Sequence, residues 1–249
     1  MLRREFCGLV AAGAGLGLGC RRVHSGSSGQ APLSARPGDP RGSITAGTIR
    51  LGSGDPHDGY LYVPAGYRPQ TPMPLVLALH GASGNVSGPL ALLGPYAEAQ
   101  GFLIVAVNSS DYSWDGVIGS YGPDVARIDT ALRRAFERCR VDAARLVIEG
   151  FSDGASYALG LGLANGDLFT RIVAFSPGFL HESATGRRGR PELFISHGRQ
   201  DTVLPIEAAS RQIVPRLQTE GYAVSYVEFE GGHGVPPEIA RRAVSWLLR

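Results

Sequence analysis

Short apolar runs alternate with longer amphipathic stretches along most of this chain. Leu75–Leu79 is apolar at every position, which is typical of a parallel strand buried on both faces of a sheet. Asp124–Arg140 places apolar residues three or four positions apart, which predicts a helix with one buried face. By the same criteria we predict further strands over 102–107, 146–149, 171–175, 192–196 and 224–229, and further helices over 89–100, 153–164, 205–220 and 237–248.

Two short runs precede this alternation, over 48–51 and 59–63, and a turn rich in Gly, Asp and Pro separates them. They predict an antiparallel hairpin at the edge of the sheet. Strands that alternate with helices form parallel sheets with helices on both faces. The sequence therefore predicts an α/β fold with a doubly wound, mostly parallel sheet, an N-terminal antiparallel edge hairpin and no lid domain.

The N-terminal segment indicates export. Arg3-Arg4 is followed by a mildly apolar run rich in Gly and Ala, which is typical of a twin-arginine export signal. Leu16–Cys20 is also similar to a lipoprotein cleavage site with Cys20 as the lipidated residue; the alternative is cleavage near Cys20 without lipid. We therefore expect an export signal over 1–20, a flexible tether over 21–43 and one folded domain over 44–249, in a protein of the periplasm or cell envelope.

Charge and cysteine content exclude several classes of function. The net charge is only +2 and the basic residues are scattered, so we expect no nucleic-acid partner. Cys139 is the one cysteine after Cys20, and it falls in a helical pattern, so we expect a buried core thiol rather than a disulfide. No cluster of His and Cys has the spacing of metal ligands, so we expect no metal site. Any membrane contact is expected to come only from a lipid at Cys20.

The motif Gly150-Phe151-Ser152-Asp153-Gly154 stands between a predicted strand and a predicted helix. A serine in such a motif occupies a turn so sharp that strand and helix need glycines in order to approach. Its hydroxyl is then exposed at the carboxyl end of the sheet, where the active groups of these folds lie. We predict Ser152 as a nucleophile; the alternative is an ordinary turn serine.

Two further polar residues, Asp201 and His233, each follow a later predicted strand. A serine hydroxyl becomes a good nucleophile when a base removes its proton, and a carboxylate fixes the tautomer of that base. We therefore predict His233 as the base and Asp201 as the acid. Asp115 and Asp124 are the substitutes if Asp201 only caps the helix that follows it.

The tetrahedral intermediate of acyl transfer needs hydrogen-bond donors for its oxyanion. We predict that the backbone N–H groups of Ala82 and Asp153 supply them. His80 and His197 also follow strands, and the pattern is compatible with either a structural or a functional role for both. Trp114 and Phe179 are compatible with a substrate pocket or with ordinary loop anchoring. The residues that we expect to line the substrate pocket are Gly81, Trp114, Phe179 and Val203.

From Thr48 to Arg249 the chain resembles the α/β-hydrolase superfamily, in which nucleophile, acid and base follow in the order Ser, Asp, His. Within it the chain resembles the polyhydroxybutyrate depolymerase-like, feruloyl-esterase-like and phospholipase/carboxylesterase groups. The resemblance implies that the domain over 44–249 is a serine esterase that forms an acyl-enzyme and needs no cofactor. The sequence shows no insertion large enough for a lid, so we expect an open pocket suited to small or medium esters. The segments that carry it are Leu79-His80-Gly81, Val141-Asp142-x-x-Arg145-Leu146, the Ser152 motif, His197-Gly198-x-x-Asp201-x-Val203-x-Pro205 and Gly232-His233.

The residues leave the substrate open. Secreted polymer depolymerases usually carry disulfides and a surface-binding domain, and the lack of both in this sequence argues against activity on solid polymer. The same triad would also cleave a thioester, an amide or an acylated sugar, because the choice of leaving group depends on pocket shape. A further alternative is a non-catalytic exported scaffold or binding protein on the same fold.

Overall fold

The computed structural model of the chain describes residues 32–42, 44–52, 54, 57–181 and 186–249. The predicted export signal over 1–20 and the predicted lipid attachment at Cys20 lie outside these residues.

Eight strands in the described part of the chain form one sheet. Their order across the sheet is first, second, fourth, third, fifth, sixth, seventh and eighth. The first and second strands form the antiparallel edge hairpin that the sequence predicts. The second strand also pairs antiparallel with the fourth, which was not predicted, and all other pairs are parallel. The strands are β1 (Gly47–Arg50), β2 (Tyr60–Val63), β3 (Met73–Leu79), β4 (Leu103–Val107), β5 (Val141–Phe151), β6 (Arg171–Phe175), β7 (Glu192–Gly198) and β8 (Val224–Phe229).

Helices cover both faces of the sheet. They are α1 (Ser87–Gln100), α2 (Asp115–Ile118), α3 (Pro123–Arg138), α4 (Asp153–Ala164), α5 (Ser210–Thr219) and α6 (Pro237–Leu247). The apolar residues of α3, α4 and α5 form a core with one face, and those of α1 and α6 form a core with the other. The predicted doubly wound architecture is therefore confirmed. No described helix combines the length and apolar character needed to cross a bilayer.

Two helices differ from the predictions. The four residues of α2 are too few to produce a periodic pattern, and the sequence analysis missed this helix. Helix α5 begins at Ser210 rather than 205, because residues 206–209 form turns and Ala209 has the non-helical angles φ −112° and ψ −106°. The absence of a lid domain stays a prediction, since residues 182–185 between β6 and β7 lie outside the described part of the chain.

The segment 33–41 packs against the domain, so the prediction of a flexible tether is wrong for this part of the chain. The side chains of Leu33 and Ala35 are each only 3% exposed. On α3, Asp129 accepts hydrogen bonds from the backbone N–H groups of Ser34 and Ala35, both at 2.7 Å, and from Ser34 Oγ at 2.6 Å. The composition of this segment is that of a flexible linker, so it predicted a tether. Composition could not reveal the packing, because the acceptor, Asp129, lies about a hundred residues further along the chain.

We expect Asp129→Ala to lower the free energy of unfolding by about 1–3 kcal/mol at neutral pH, because three hydrogen bonds lose a charged acceptor. Burial by itself raises the pKa of Asp129, but the hydrogen bonds from Ser34 and Ala35 and the charge of Arg133 lower it below its ordinary value. The stabilisation is therefore present above the pKa of the unfolded carboxyl and is lost as the pH falls through the lower folded pKa. Urea unfolding at several pH values measures both effects.

Asp167→Ala is the matched control, because its ion pair with Arg36 joins the same segment to the domain but leaves the carboxylate 40% exposed. Exposed pairs contribute little, so we expect a change below about 1 kcal/mol. Equal losses in the two variants would contradict the role given to Asp129.

Candidate active site

Ser152 lies between β5 and α4 in a strained backbone conformation, with φ +57° and ψ −120°. Two glycines permit this turn. A Cβ on Gly150 would overlap the backbone of Gly154, and a Cβ on Gly154 would overlap the carbonyl oxygens of Leu79 and His80. Strand β5, helix α4 and the end of β3 therefore meet at backbone distance, and the serine projects from their junction.

A chain of hydrogen bonds joins Ser152, His233 and Asp201. His233 Nε2 lies 2.8 Å from Ser152 Oγ, and His233 Nδ1 lies 2.6 Å from Asp201 Oδ2. Each residue follows a different strand, β5, β7 or β8, at the carboxyl edge of the parallel sheet. Ser152 is 8% and Asp201 is 6% exposed, so these contacts are shielded from bulk water. The structure thus brings together the three side chains that the sequence analysis selected.

Asp201 is held in one orientation by the loop that follows it. Its Oδ1 accepts hydrogen bonds from the backbone N–H groups of Val203 and Leu204, both at 2.9 Å, which leaves Oδ2 for His233. Burial by itself raises the pKa of this carboxyl, but the hydrogen bonds from Leu204, His233 and Val203 outweigh burial and lower it below its ordinary value. Asp201 is therefore a carboxylate at neutral pH, suited to fix the Nδ1–H tautomer of the imidazole.

The two substitute acids lie elsewhere. Asp124 accepts hydrogen bonds from the backbone N–H groups of Ser110 and Asp115, and Asp115 accepts one in return from the N–H of Asp124. These carboxylates hold the loop between β4 and α3 in shape. Among the three candidate acids, Asp201 is the one that contacts His233.

His197, whose role the sequence left open, packs behind Asp201. Its ring is fully buried, and its Nε2 lies 2.8 Å from the carbonyl oxygen of Leu204 and 3.2 Å from Asp201 Oδ2. Its Nδ1 lies 2.7 Å from Ser210 Oγ. Burial lowers the pKa of His197, which favours the neutral ring that donates from Nε2 and accepts at Nδ1. His197 therefore supports the Asp201 loop and does not reach Ser152.

His80 has a comparable structural role in the loop after β3. Its Nδ1 donates to the carbonyl oxygen of Gly81 at 2.7 Å, and its Nε2 accepts a hydrogen bond from the backbone N–H of Ser109 at 3.0 Å. Burial lowers the pKa of His80, consistent with a neutral ring that uses both nitrogens. A Cβ on Gly81 would lie 3.3 Å from the Cβ of Ser152, so His80 fixes a loop that passes directly beside the serine.

The two predicted oxyanion donors belong to this loop and to α4. Asp153 is the first residue of α4, where backbone N–H groups have no acceptor within the helix and the helix dipole favours negative charge. Ala82 lies in the turn that a hydrogen bond of 3.0 Å closes between Gly84 N and Gly81 O. The role of these two N–H groups in binding an oxyanion stays a prediction.

A cavity of about 650 Å³ lies beside His233, and Gly81 is among its lining residues; contact of Gly81 with a substrate stays a prediction. Phe179 and Val203 do not line this cavity; they are 39% and 64% exposed, and their contact with a substrate stays a prediction.

Trp114 is not a pocket residue, so that prediction is wrong. Its side chain is fully buried, and its Nε1–H donates to the carbonyl oxygen of His80 at 2.8 Å. Its ring also stacks on Tyr157 with the centroids 5.1 Å apart. Trp114 instead anchors the loop after β4 to the loop after β3, and an indole that finds a buried acceptor is well suited to that position.

Comparison with solved structures identifies the fold. The S-formylglutathione hydrolase FrmB of Staphylococcus aureus superposes with a TM-score of 0.67 and 19% identity, covering 84% of this chain and 99% of that one. The esterase PE8 superposes with a TM-score of 0.60 and 20% identity, covering 83% and 98%. A family model described as phospholipase/carboxylesterase also matches residues 125–247. The chain has the α/β-hydrolase fold.

Two curated proteins are similar to this chain in sequence. Feruloyl esterase C of Emericella nidulans is 31% identical over 154 residues, which is 59% of this chain and 56% of the relative. The probable feruloyl esterase C of Aspergillus flavus is 28% identical over the same shares of the two chains. The chain thus spans little more than half the length of the curated relatives that it matches.

Sequence reasoning missed one acidic residue as a candidate for function. Glu149 on β5 is 1% exposed, between Ala78 and Val173 of the neighbouring strands. Its Oε2 has no hydrogen-bond partner among the described residues. Burial raises the pKa of Glu149 to about 8. The signal available in the sequence was that Glu149 is the one charged residue in the predicted strand over 146–149, which is otherwise apolar.

We expect Glu149→Gln to remove a pH dependence of stability. The folded state keeps the Glu149 proton up to a pKa of about 8, whereas the unfolded carboxyl ionises near its ordinary value of 4.5. The native state therefore binds more protons between these values, and this residue lowers the free energy of unfolding by about 1.4 kcal/mol for each pH unit of increase in that window. Glutamine cannot ionise. Urea unfolding of both proteins across the window should favour the variant increasingly as the pH rises; a constant difference would contradict this prediction.

Proposed function

We propose that the protein is a serine esterase that hydrolyses small or medium carboxylic esters through an acyl-enzyme. The observation that carries this proposal is the hydrogen-bonded chain of Ser152, His233 and Asp201 at the carboxyl edge of the sheet. A hydroxyl, an imidazole and a carboxylate in that order are the parts that nucleophilic acyl transfer needs.

In the first half of the reaction, Ser152 Oγ attacks the carbonyl carbon of the ester while His233 Nε2 takes the hydroxyl proton. The carbonyl oxygen becomes an oxyanion, which the backbone N–H groups of Ala82 and Asp153 stabilise. The carbon–oxygen bond to the alcohol then breaks, and the imidazolium of His233 returns its proton to the departing alkoxide. Asp201 stabilises the imidazolium without taking its proton.

In the second half, water takes the place of the alcohol. His233 accepts a proton from the water as its oxygen attacks the acyl carbon, and the same two N–H groups bind the oxyanion. The bond between the acyl carbon and Ser152 Oγ breaks, the serine recovers its proton from His233, and the carboxylic acid leaves. Each cycle consumes one ester and one water and releases one alcohol and one acid.

The comparisons support an ester as the substrate. The two curated relatives are named feruloyl esterases, and the matching family model is described as phospholipase/carboxylesterase. A thioester or an amide would react by the same steps, and these are the alternative substrates. The non-catalytic alternative gains no support from the site, because all three groups are within hydrogen-bond distance of their partners.

Labelling with a fluorophosphonate probe tests the proposal. Such a probe reacts with an activated serine, so we expect modification of Ser152, located by peptide mass spectrometry, and its loss in His233→Ala. Turnover of para-nitrophenyl acetate and butyrate by the same preparation would establish the esterase reaction. A folded wild-type protein that neither labels nor cleaves these esters would refute the proposal.

We further propose that residues 1–20 direct export to the periplasm or cell envelope, with lipid attachment at Cys20 as the alternative to simple cleavage. The support is the twin arginine, the mildly apolar run after it and the sequence Leu16–Cys20. Mass spectrometry of the protein from cells would detect a mature N-terminus at or near Cys20, and a lipidated cysteine by its added mass. Protein that retains Met1 in the cytoplasm would refute export.

A further inference from the structure

The cavity beside His233 also borders strand β5, through Glu149 and Phe151. Its wall includes Gly81 and Ala82 from the loop after β3, and His233 from the loop after β8. At about 650 Å³ it has room for a medium-sized organic group. A substrate whose carbonyl carbon lies at Ser152 Oγ can therefore extend one of its two sides into this cavity.

Most of the remaining wall is apolar, with Leu79, Leu92, Phe151 and Val235 among the lining residues. Glu149 is the one acidic side chain among the described residues that line it. Its Oε2 is buried and has no hydrogen-bond partner in the described part of the chain. Buried polar atoms of native proteins nearly always have a hydrogen-bond partner, and leaving one unpaired is destabilising. Among the described residues that line the cavity, Glu149 is thus the one whose carboxyl has an oxygen still free to pair with a polar group.

The position of Glu149 on β5 sets where that polar group lies on the substrate. Glu149 precedes Phe151, the last residue of β5, by two residues, so its α-carbon lies roughly 7 Å back along the strand from the end that carries Ser152. The group bound by Glu149 is thus several bonds away from the carbonyl that reacts. Glu149 would therefore contact a polar group at the far end of the acyl or alcohol chain rather than atoms next to the scissile bond.

We propose that the cavity binds the part of the ester that carries a hydroxyl group, and that Glu149 forms the hydrogen bond to this hydroxyl. The inference rests on the proposed esterase function and adds the substrate class. We assign a hydroxyl rather than an ammonium ion as the partner of Glu149. The raised pKa of Glu149 leaves its carboxyl neutral at neutral pH, and a neutral carboxyl both donates and accepts hydrogen bonds. An ammonium ion would instead require an ionised carboxylate in largely apolar surroundings, where charges are costly to bury.

Matched substrates test the proposal and distinguish the two sides of the ester. One series pairs para-nitrophenyl esters of hydroxy acids, with the hydroxyl at the chain end and four to eight carbons, with the corresponding alkanoates. The other pairs monobutyrate esters of linear diols with the butyrates of the corresponding alkanols. We expect the wild type to prefer the hydroxylated ester in one of the two series. At one or more chain lengths of that series, its kcat/KM should be at least about tenfold higher for the hydroxylated ester than for the matching ester without the hydroxyl.

Substitution of Glu149 links this preference to the side chain. Glu149→Leu should remove the hydroxyl preference by lowering kcat/KM for the hydroxylated ester about tenfold or more, with little change for its partner. Glu149→Gln can still donate and accept, so it should keep part of the preference. Val235→Ala is the matched control at the same wall, and it should alter the preferred chain length while the hydroxyl preference remains.

Equal kcat/KM values within every pair for the wild type would overturn the inference, and so would a hydroxyl preference that Glu149→Leu leaves intact. The wild-type comparison decides by itself if Glu149→Leu does not fold. Failure of the proposed function is distinguishable, because a folded wild type would then cleave no ester of either series.

Discussion

Replacing Ser152 by alanine is expected to lower kcat for a short-chain aryl ester by about 10⁶-fold, with the fold unchanged. The hydroxyl is the proposed nucleophile, and His233 has no proton to accept without it. Loss of the nucleophile in other triad enzymes has an effect of about this size, and the remaining rate comes from substrate binding and the oxyanion donors. Steady-state turnover, together with thermal unfolding of both proteins, measures the two parts of this expectation.

Ser176 provides a matched control for this experiment. It follows β6, has φ +50°, is fully buried, and its Oγ has no hydrogen-bond partner among the described residues. It is thus another serine in strained backbone at the end of a neighbouring strand. Ser176→Ala should retain turnover within a few-fold of the wild type. Substantial activity in Ser152→Ala would mean that another residue attacks the substrate.

Asp201→Asn is expected to lower kcat by about 10⁴-fold. Oδ1 of Asp201 accepts two backbone hydrogen bonds, so the amide oxygen of an asparagine would take that position. Its NH₂ group would then face His233 Nδ1 and hold the imidazole as the Nε2–H tautomer. That tautomer cannot accept the proton of Ser152. The pH dependence of kcat and the unfolding temperature would separate this effect from general destabilisation.

The variant Asp115→Asn is the control for Asp201→Asn. Asp115 accepts a hydrogen bond of 3.0 Å from Tyr157 and holds a loop, so this variant should lose stability while its kcat stays near the wild-type value. Near-normal turnover in Asp201→Asn combined with a large loss in Asp115→Asn would show that the acid has been misassigned.

The fold and the three central residues could be predicted because their signals are local. Apolar runs mark buried strands, and Gly150-x-Ser152-x-Gly154 marks a sharp turn between strand and helix. Because parallel strands end at the same edge of a sheet, polar residues after β7 and β8 were expected to approach Ser152. The hydrogen-bond distances to His233 agree with that expectation.

The features that the sequence did not predict depend on contacts between distant segments. Trp114 was expected in the pocket because aromatic loop residues often bind substrates, but its burial depends on the His80 carbonyl and the Tyr157 ring. The packed segment 33–41 has the composition of a linker, and its acceptor, Asp129, lies on α3. Local composition carries no information on either partner.

Gly154 has a consequence for the evolution and redesign of this protein. Its α-carbon lies against the carbonyl oxygens at the end of β3, so main-chain atoms fix the position of the serine relative to the neighbouring loop. Side chains such as Leu92 and Val235 take no part in that contact, although they line the adjacent cavity. Under the proposed function, changes at those side chains are expected to alter substrate preference while the three hydrogen-bonded groups keep their alignment. A library aimed at new esters should therefore vary the cavity wall and leave the two motif glycines unchanged.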